Sequence, residues 1–206
     1  MDNIESKKLT DDMVKESAPA YQTRPVDSYT IEDYLALPDD VRAELIDGRL
    51  FYMEAPTAWH QDFLFKIAFA LESYIQSNKG SCKAMIAPLD VQLDCDDKTM
   101  VQPDVMVICI RDKITRERIY GAPDLCIEVM SPSTRDHDMK IKLHKYKAAG
   151  VREYWMVDLD KRQVICYFFE KDIAPVIYPF EAPVPVQIFE CKLTIDFAEI
   201  LNSFLF

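Results

Sequence analysis

The sequence predicts an α/β fold in which a mixed β-sheet is flanked by α-helices. The elements follow one another as a helix, several strand-like runs, a second helix and further strands, an order typical of a sheet covered by helices. Two of the runs, PDVMVICI and PDLCIEVM, are apolar at both alternating positions. Central strands that are covered on both faces have this pattern. With 206 residues, the chain is long enough for one domain with its own core.

The N-terminal part is expected to differ from the rest of the chain. Residues 1–27 are polar and lack apolar periodicity, which predicts a flexible arm in front of a domain spanning residues 28–206. Within the start of that domain, Thr30 is expected to cap a short helix over IEDYLALP, which ends near Pro38.

A β-hairpin and a long helix are predicted next. The dipeptide Asp47-Gly48 lies between two apolar runs and is typical of a tight hairpin turn, with Glu44 just before it. From about residue 58 to residue 77, apolar residues recur at intervals of three and four. This spacing predicts an amphipathic helix, with Thr57 as its cap.

The second half alternates between strands and helices. After the runs CKAMIAPLDVQL, PDVMVICI and PDLCIEVM, a helix is predicted over residues 136–149, with Gly150 ending it. The segment EYWMVDLDKRQVICYFF predicts a hairpin that turns at residues 159–162. Residues 174–206 are expected to form one or two short strands and a final turn of helix, FAEILNSF.

The charge balance bears on the partners of the protein. The formal net charge is −11, which disfavours binding of nucleic acid through a general positive surface. A cleft of carboxylates is itself acidic until a metal enters, and a local basic strip can coexist with an acidic exterior. A nuclease is therefore not excluded.

The cysteines and the hydropathy indicate an intracellular protein. The six cysteines form no CxxC pair and no Cys/His cluster, and three of them, Cys109, Cys126 and Cys166, lie inside apolar runs. We expect reduced thiols that pack as small hydrophobes, with structural zinc or a disulfide as the alternatives. There is no signal-like N-terminus and no apolar run near the roughly 20 residues of a membrane span, which predicts a cytoplasmic protein without membrane contact.

Acidic residues inside the apolar strands are the main functional signal. Asp104 opens PDVMVICI, Asp124 opens PDLCIEVM, and Glu128 lies within the latter. An isolated buried carboxylate costs several kcal/mol, so it is retained when it is paired, binds metal or takes part in chemistry. Asp124 and Glu128 are four residues apart on one strand, about 13 Å, and cannot share one ion.

Asp104 and Glu128 are better placed to act together. If their strands pair antiparallel with Ile110 facing Pro123, Asp104 lies opposite Val129 and beside Glu128. Two such carboxylates about 4 Å apart repel by roughly 4 kcal/mol at an effective dielectric constant near 20. A divalent cation removes this repulsion, and all-oxygen ligation favours Mg²⁺ or Mn²⁺.

Each of these carboxylates also has a purely structural interpretation. Asp104 and Asp124 each follow a proline and could start a strand or a turn, and for Asp124 this interpretation is preferred. Glu128 could form a buried salt bridge. From chemistry alone, Glu44 is an ordinary exposed carboxylate.

A family resemblance adds to this interpretation. The segments AELIDGRLFYMEAP, VQPDVMVI, GAPDLCIEVMSPSTR and DMKIKLHKYKAAGVREYWMVD resemble a bacterial family of putative restriction endonucleases within the PD-(D/E)XK nuclease superfamily. The resemblance spans about residues 29–170 and implies a restriction-endonuclease-like core. It implies Asp104 and Glu128 as metal ligands, with Glu44 as a further carboxylate and the main-chain carbonyl of Val129 as another ligand.

The sequence departs from the superfamily pattern at one position. Two residues after the glutamate, where the superfamily has a lysine that orients the attacking water, this chain has Met130. The related family has its lysine in the next helix, and this matches Lys142, with Lys140 and Lys145 as rivals. Asp138 lies one helical turn before Lys142, so a surface ion pair is the alternative.

Three further residues have less specific interpretations. His60, near the start of the long helix, also matches a family position and could support the site, although a lone histidine is more often a capping or packing residue. Tyr146 and Trp155 are expected in the core.

Three functions compete at this point. The first is a Mg²⁺-dependent endodeoxyribonuclease that hydrolyses phosphodiester bonds in DNA, with the carboxylates holding metal and Lys142 positioning water or balancing phosphate charge. The second is a catalytically inactive binding or regulatory module with a nuclease fold. The third is a structural, oligomer-forming protein whose carboxylates pair with Arg or Lys. A homodimer is expected, as is common for soluble proteins.

Overall fold

The structure is a computed structural model that describes residues 27–93, 96–130, 137–171 and 173–203. The arm predicted over residues 1–27 lies outside this part of the chain, except for its last residue. No helix in the described ranges is both long enough and apolar enough to cross a membrane.

Four α-helices, three short 3-10 turns and one π-helical segment occur in the described ranges. The α-helices are α1 Ile31–Leu35, α2 Ala58–Ser77, α3 Leu143–Ala149 and α4 Phe197–Asn202. The π-helical segment His137–Lys142 leads directly into α3, and the 3-10 turns are Arg111–Lys113, Phe169–Lys171 and Gln187–Phe189.

The described strands form two larger sheets and a two-stranded one. In chain order they are β1 Ala43–Ile46, β2 Arg49–Tyr52, β3 Lys83–Ile86, β4 Val91–Gln92, β5 Met100–Val101, β6 Val105–Ile108, β7 Ile119–Tyr120, β8 Leu125–Met130, β9 Glu153–Asp158, β10 Gln163–Phe168, β11 Val176–Pro179, β12 Val184–Pro185 and β13 Thr194–Ile195. The six-stranded sheet has the order β11-β10-β9-β8-β6-β3, the five-stranded sheet has the order β2-β1-β5-β4-β7, and β12 pairs with β13.

The six-stranded sheet is mixed and lies in the middle of the fold. Its β8 and β9 run parallel, whereas its other neighbours run antiparallel. One face packs against α2, with Phe63 and Leu64 of the helix against Leu125 and Ile127 of β8. The other face packs against α3 and the five-stranded sheet, in a core that includes Tyr146. The predicted mixed sheet with helices on both faces is therefore confirmed.

Local sequence signals account for the first elements. Thr30 and Asp33 form a capping box at the start of α1. Asp47 and Gly48 form the predicted hairpin turn, with φ values of 51° and 76°, as a tight turn between twisted strands requires. A Cβ atom on Gly48 would lie 2.6 Å from the main-chain oxygen of Asp27, so no other residue fits there without movement.

The later helices and hairpin also follow the predictions. Thr57 caps α2, the predicted turn between β9 and β10 is present, and Gly150 ends α3 with a left-handed φ of 91°. The C-terminal part contains three short strands instead of one or two, and α4 is the predicted final turn of helix.

Strand pairing differs from the prediction in two respects. The run CKAMIAPLDVQL is divided between β3 in the six-stranded sheet and β4 in the five-stranded sheet. The pairing of β6 with β8 matches Val105 to Ile127, one residue away from the predicted register. Extended by one residue, this register sets Asp104 opposite Glu128 instead of Val129.

The expectation of six reduced cysteines is wrong, because Cys82 and Cys109 form a disulfide. The register that pairs Lys83 with Ile108 brings the two cysteines opposite each other at the ends of β3 and β6. In the described ranges, the free cysteines are Cys126, Cys166 and Cys191, and the first two are buried as predicted.

Candidate functional site

Two carboxylates lie side by side where β6 and β8 meet. Asp104 directly precedes β6, and Glu128 lies in the middle of β8, opposite it by register. Residues opposite each other in an antiparallel pair have their side chains on the same face. For this pair it is the face that carries Met106 and Cys126, toward α3 and the five-stranded sheet.

A buried lysine joins Glu128 to a third carboxylate, Glu44. The Nζ atom of Lys142 lies 2.9 Å from Oε1 of Glu128 and 2.9 Å from Oε1 of Glu44. The three residues are only 4%, 3% and 2% exposed, respectively, so one ammonium group offsets two carboxylates that are almost fully withdrawn from water. Glu44 is thus not the exposed carboxylate that chemistry alone suggested, and Glu128 does form a buried salt bridge.

The position of Lys142 depends on an irregularity in the helix. It is the last residue of the π-helical segment that precedes α3, and π-helical turns are frequent at functional sites. Of its rivals, Lys140 is exposed and Lys145 contacts Asp47 in the β1–β2 turn. Lys142 contacts Glu128.

Tyr146 contributes a second contact to Glu128 that the sequence did not reveal. It is fully buried, as expected of a core residue, and its hydroxyl donates to Oε1 of Glu128 at 2.6 Å. Burial and, next, the charge of Glu128 raise the pKa of the phenol well above its usual value. The signal was available: Tyr146 follows Lys142 by four residues, so the two share one face of the helix.

Asp104 is held by α2 and by the main chain of β8. Its Oδ2 atom accepts a hydrogen bond from the Val129 N–H at 2.8 Å and lies 3.3 Å from Nε2 of His60. The hydrogen bond to Asp104 raises the pKa of His60 although burial opposes the rise. His60 lies in the first turn of α2, where its N–H donates to the Thr57 cap, so that the helix start aims the imidazole at Asp104.

Gln102 connects Glu44 to the rest of the five-stranded sheet and was also missed. Its N–H donates to Oε1 of Glu44 at 2.7 Å. Its side-chain amide donates to Asp90 at 2.9 Å and to the hydroxyl of Tyr34 at 3.2 Å. These contacts fix both Glu44 and the orientation of the Gln102 amide.

Asp124 has the structural role that the sequence favoured. Its Oδ2 atom accepts from the Cys109 N–H at 2.7 Å, and its Oδ1 atom lies 3.2 Å from the guanidinium of Arg152. It lies at the opposite end of β8 from Met130 and takes no part in the cluster around Glu128.

The donor set suits a hard cation such as Mg²⁺. Among the described residues, no group of three His, Cys, Asp or Glu side chains is arranged to hold a metal ion. Mg²⁺, however, is commonly bound by one or two carboxylates together with water and substrate phosphate. Both contacts of Asp104 to the described residues use Oδ2, and its side chain is 17% exposed, so its Oδ1 atom remains available to a cation.

Comparisons with known proteins agree with this architecture. A family model described as Uma2, putative restriction endonuclease, matches residues 31–198. The crystal structure of a putative nuclease belonging to DUF820 from Anabaena variabilis has the same fold. It aligns with a TM-score of 0.69 at 22% identity and covers 84% of this chain and 97% of that chain. No curated protein matches the chain.

Proposed function

Because the chain belongs to the Uma2 family of putative restriction endonucleases, we propose that it is a Mg²⁺-dependent endonuclease that hydrolyses phosphodiester bonds in DNA. One observation carries the proposal: Asp104 and Glu128 lie opposite each other on adjacent strands, and Lys142 contacts Glu128. Acidic strand residues with a lysine beside them are the chemistry that metal-assisted phosphodiester hydrolysis needs.

The carboxylates are the ligands in this proposal. Asp104 and Glu128 would hold Mg²⁺ or Mn²⁺. Glu44 and the main-chain carbonyl of Val129 would be the remaining ligands from the protein. The bound ion supplies activation of a water molecule and stabilisation of charge on a phosphoryl oxygen. His60 and the Val129 N–H keep Asp104 in place through Oδ2, while Tyr146 fixes Oε1 of Glu128.

Lys142 supplies the positive charge that the superfamily position at Met130 lacks. Its ammonium group reaches Glu128 from the helix instead of from the strand. There it can donate a proton in a hydrogen bond to the attacking water or to a phosphate oxygen. The burial of Lys142, Glu44 and Glu128 keeps bulk water away from these groups, which strengthens their electrostatic interactions.

The substrate, assembly and location belong to the same proposal. The description of the family as putative restriction endonucleases supports DNA as the substrate, and the cytoplasm is the proposed location because DNA is present there. A homodimer is expected because closed two-fold dimers are the commonest oligomers. Analytical ultracentrifugation of the full chain tests the dimer independently of activity.

The test of cleavage uses two conservative variants. Asp104→Asn and Glu128→Gln each remove a charged ligand and keep the shape of the side chain. Each should lower Mg²⁺-dependent nicking of plasmid DNA by on the order of 100-fold or more. EDTA should abolish nicking by the parent protein. Asp112→Asn, at an exposed carboxylate outside the cluster, is the matched control and should cleave normally.

The outcome that contradicts this proposal is nicking by both variants at the rate of the parent protein, with circular dichroism showing that both are folded. The second function is a nuclease-fold module that binds without cleaving, and it gains support if the parent protein does not nick DNA. The ion pairs that Lys142 forms with Glu44 and Glu128 favour it. That function predicts no cleavage with Mg²⁺ or Mn²⁺ and little heat when either ion is titrated into the protein in a calorimeter.

A further inference from the structure

Arg42 makes no ion pair within the described chain, although it stands in a protein with 35 acidic residues. Its Nη2 atom donates to the side-chain oxygen of Gln102 at 3.2 Å, and its Nη1 atom donates to the main-chain oxygen of Glu54 at 3.4 Å. Both acceptors are neutral. Its Nε atom is buried and has no hydrogen-bond partner in the described ranges.

The guanidinium group lies beside the carboxylate cluster. Arg42 is two residues before Glu44, and it shares Gln102 with that carboxylate. Arg42 is therefore next to the carboxylate cluster through a shared hydrogen-bond partner.

The neighbours of Arg42 hold it without using up its charge. The Gln102 amide nitrogen donates to Asp90 and to Tyr34, which orients the amide oxygen toward Arg42. A guanidinium group that is fixed by neutral acceptors has lost conformational freedom but keeps its full charge. Each Nη atom of Arg42 uses one of its two N–H groups in these contacts and keeps the other for a further acceptor. Such a group is prepared to bind an anion, and its planar fork matches phosphate.

We propose that Arg42 binds a backbone phosphate of the nucleic acid at the carboxylate cluster. This inference rests on the proposed function. It assigns a substrate contact to a residue outside the acidic set, and it supplies the local positive charge that a protein of net charge −11 needs in order to hold a polyanion at this point.

The test measures binding instead of turnover. The full-length chain carrying Asp104→Asn, which should not cleave, is titrated with a fluorescein-labelled DNA duplex in Mg²⁺ at several salt concentrations, and anisotropy is recorded. Adding Arg42→Gln removes the charge but keeps a donor for Gln102. It should weaken binding about 10-fold or more and lower the slope of log K against log salt by about 0.9.

Two further variants make the result specific. Arg42→Lys keeps the charge but loses the fork, so the salt slope should remain that of the parent while affinity falls at least about threefold. Arg111→Met is the matched control: this arginine also donates to a main-chain carbonyl, that of Ser81, but lies beyond the other end of β6. Its removal should change affinity less than about twofold.

The outcomes separate the two proposals. The role of Arg42 is overturned if the Arg42→Gln variant is folded and binds DNA with the affinity and salt slope of its parent. In that case, plasmid nicking by the wild-type protein still supports the proposed function. Should Arg42→Gln fail to fold, Arg42→Lys decides, and unchanged affinity in that variant overturns the inference. A wild-type protein that neither nicks nor binds DNA overturns both.

Discussion

At the scale of the residue, the contact that matters most is the ammonium group of Lys142 between Glu44 and Glu128. Each of these groups alone would be costly to bury, and together they are tolerated because the ammonium group attracts both carboxylates at 2.9 Å. The arrangement is stabilising only while every member is present. Removing the lysine leaves two carboxylates facing each other in a nearly dry space.

The variant Lys142→Met should therefore lower the free energy of unfolding by about 3–5 kcal/mol, because it leaves buried charge without its partner. Urea denaturation at neutral pH measures the loss. Adding Glu128→Gln to Lys142→Met should recover part of it, since one of the two facing charges is then gone. Lys147→Met, five residues further along at an exposed position, serves as control. A loss below about 1 kcal/mol for Lys142→Met would contradict this account.

Part of the site is predictable from the sequence because a charged residue inside an apolar strand is costly to bury and is therefore retained only for a structural or chemical role. That argument singled out Asp104 and Glu128, and a family resemblance added Glu44, Lys142 and the carbonyl of Val129. Arg42 and Gln102 were missed, since nothing in their local sequence distinguishes them from ordinary surface residues. Their roles come from contacts across 58 and 60 positions of the chain.

At the level of the secondary-structure elements, Glu72 connects the C-terminal half of α2 to the edge strand β3. Its Oε1 atom lies 2.8 Å from the ammonium group of Lys83, and its Oε2 atom accepts from the Ala84 N–H at 3.0 Å. The hydrogen bond from Lys83 and then the one from Ala84 lower the pKa of Glu72 from its ordinary value of 4.5 to about 2. The helix that carries His60 is thereby tied to the central sheet.

Glu72→Gln should cost about 1 kcal/mol of folding stability at pH 7. A carboxyl whose pKa is lower in the folded state stabilises above its unfolded value and loses that effect as pH falls through its folded value. The stability difference between the variant and the wild-type protein should therefore be full above about pH 4.5 and shrink toward zero near pH 2. Urea unfolding at pH 7, 4 and 2.5 measures it, with Glu117→Gln as an exposed control. A difference that is constant with pH would refute the role of Glu72.

The Cys82–Cys109 disulfide links β3 to β6 covalently and closes a loop with a sequence separation of 27. By loop length, its removal should lower the free energy of unfolding by about 3 kcal/mol. Unfolding of the wild-type protein with and without reductant gives the value. The double variant Cys82→Ala/Cys109→Ala should be as unstable as the reduced protein and should not respond to reductant. An equal response of both proteins to reductant would show that the effect lies elsewhere.

At the scale of the whole molecule, two sheets share one core, and the candidate site lies where they meet. Ile46 and Val101 of the five-stranded sheet pack with Met106 and Cys126 of the six-stranded sheet. Glu44 comes from the first sheet, whereas Asp104 and Glu128 come from the β6–β8 pair of the second. The cluster therefore exists only when both sheets are formed and docked.

The sequence does not reveal which strands belong to which sheet, and the reason is physical. The hairpin at Gly48 and the long helix α2 are set by local signals, whereas β4, β5 and β7 are two-residue strands whose pairing depends on distant partners. The register of β6 and β8 was wrong by one residue because the chain between them does not make a simple turn. It passes through Ile119–Tyr120, which pairs with β4 in the other sheet.

The shared core has a practical consequence for altering the candidate site. Because Glu44 and Glu128 lie on different sheets, the distance between them depends on the size of the apolar side chains that pack between the sheets, such as Ile46 and Met106. Shortening or lengthening one of these side chains by a methylene would change the distance between the Glu44 and Glu128 carboxylates, which Lys142 bridges, without altering a charge. Under the proposed function, random mutagenesis for altered metal-ion preference should therefore yield variants at these buried apolar positions as readily as at the acidic residues themselves.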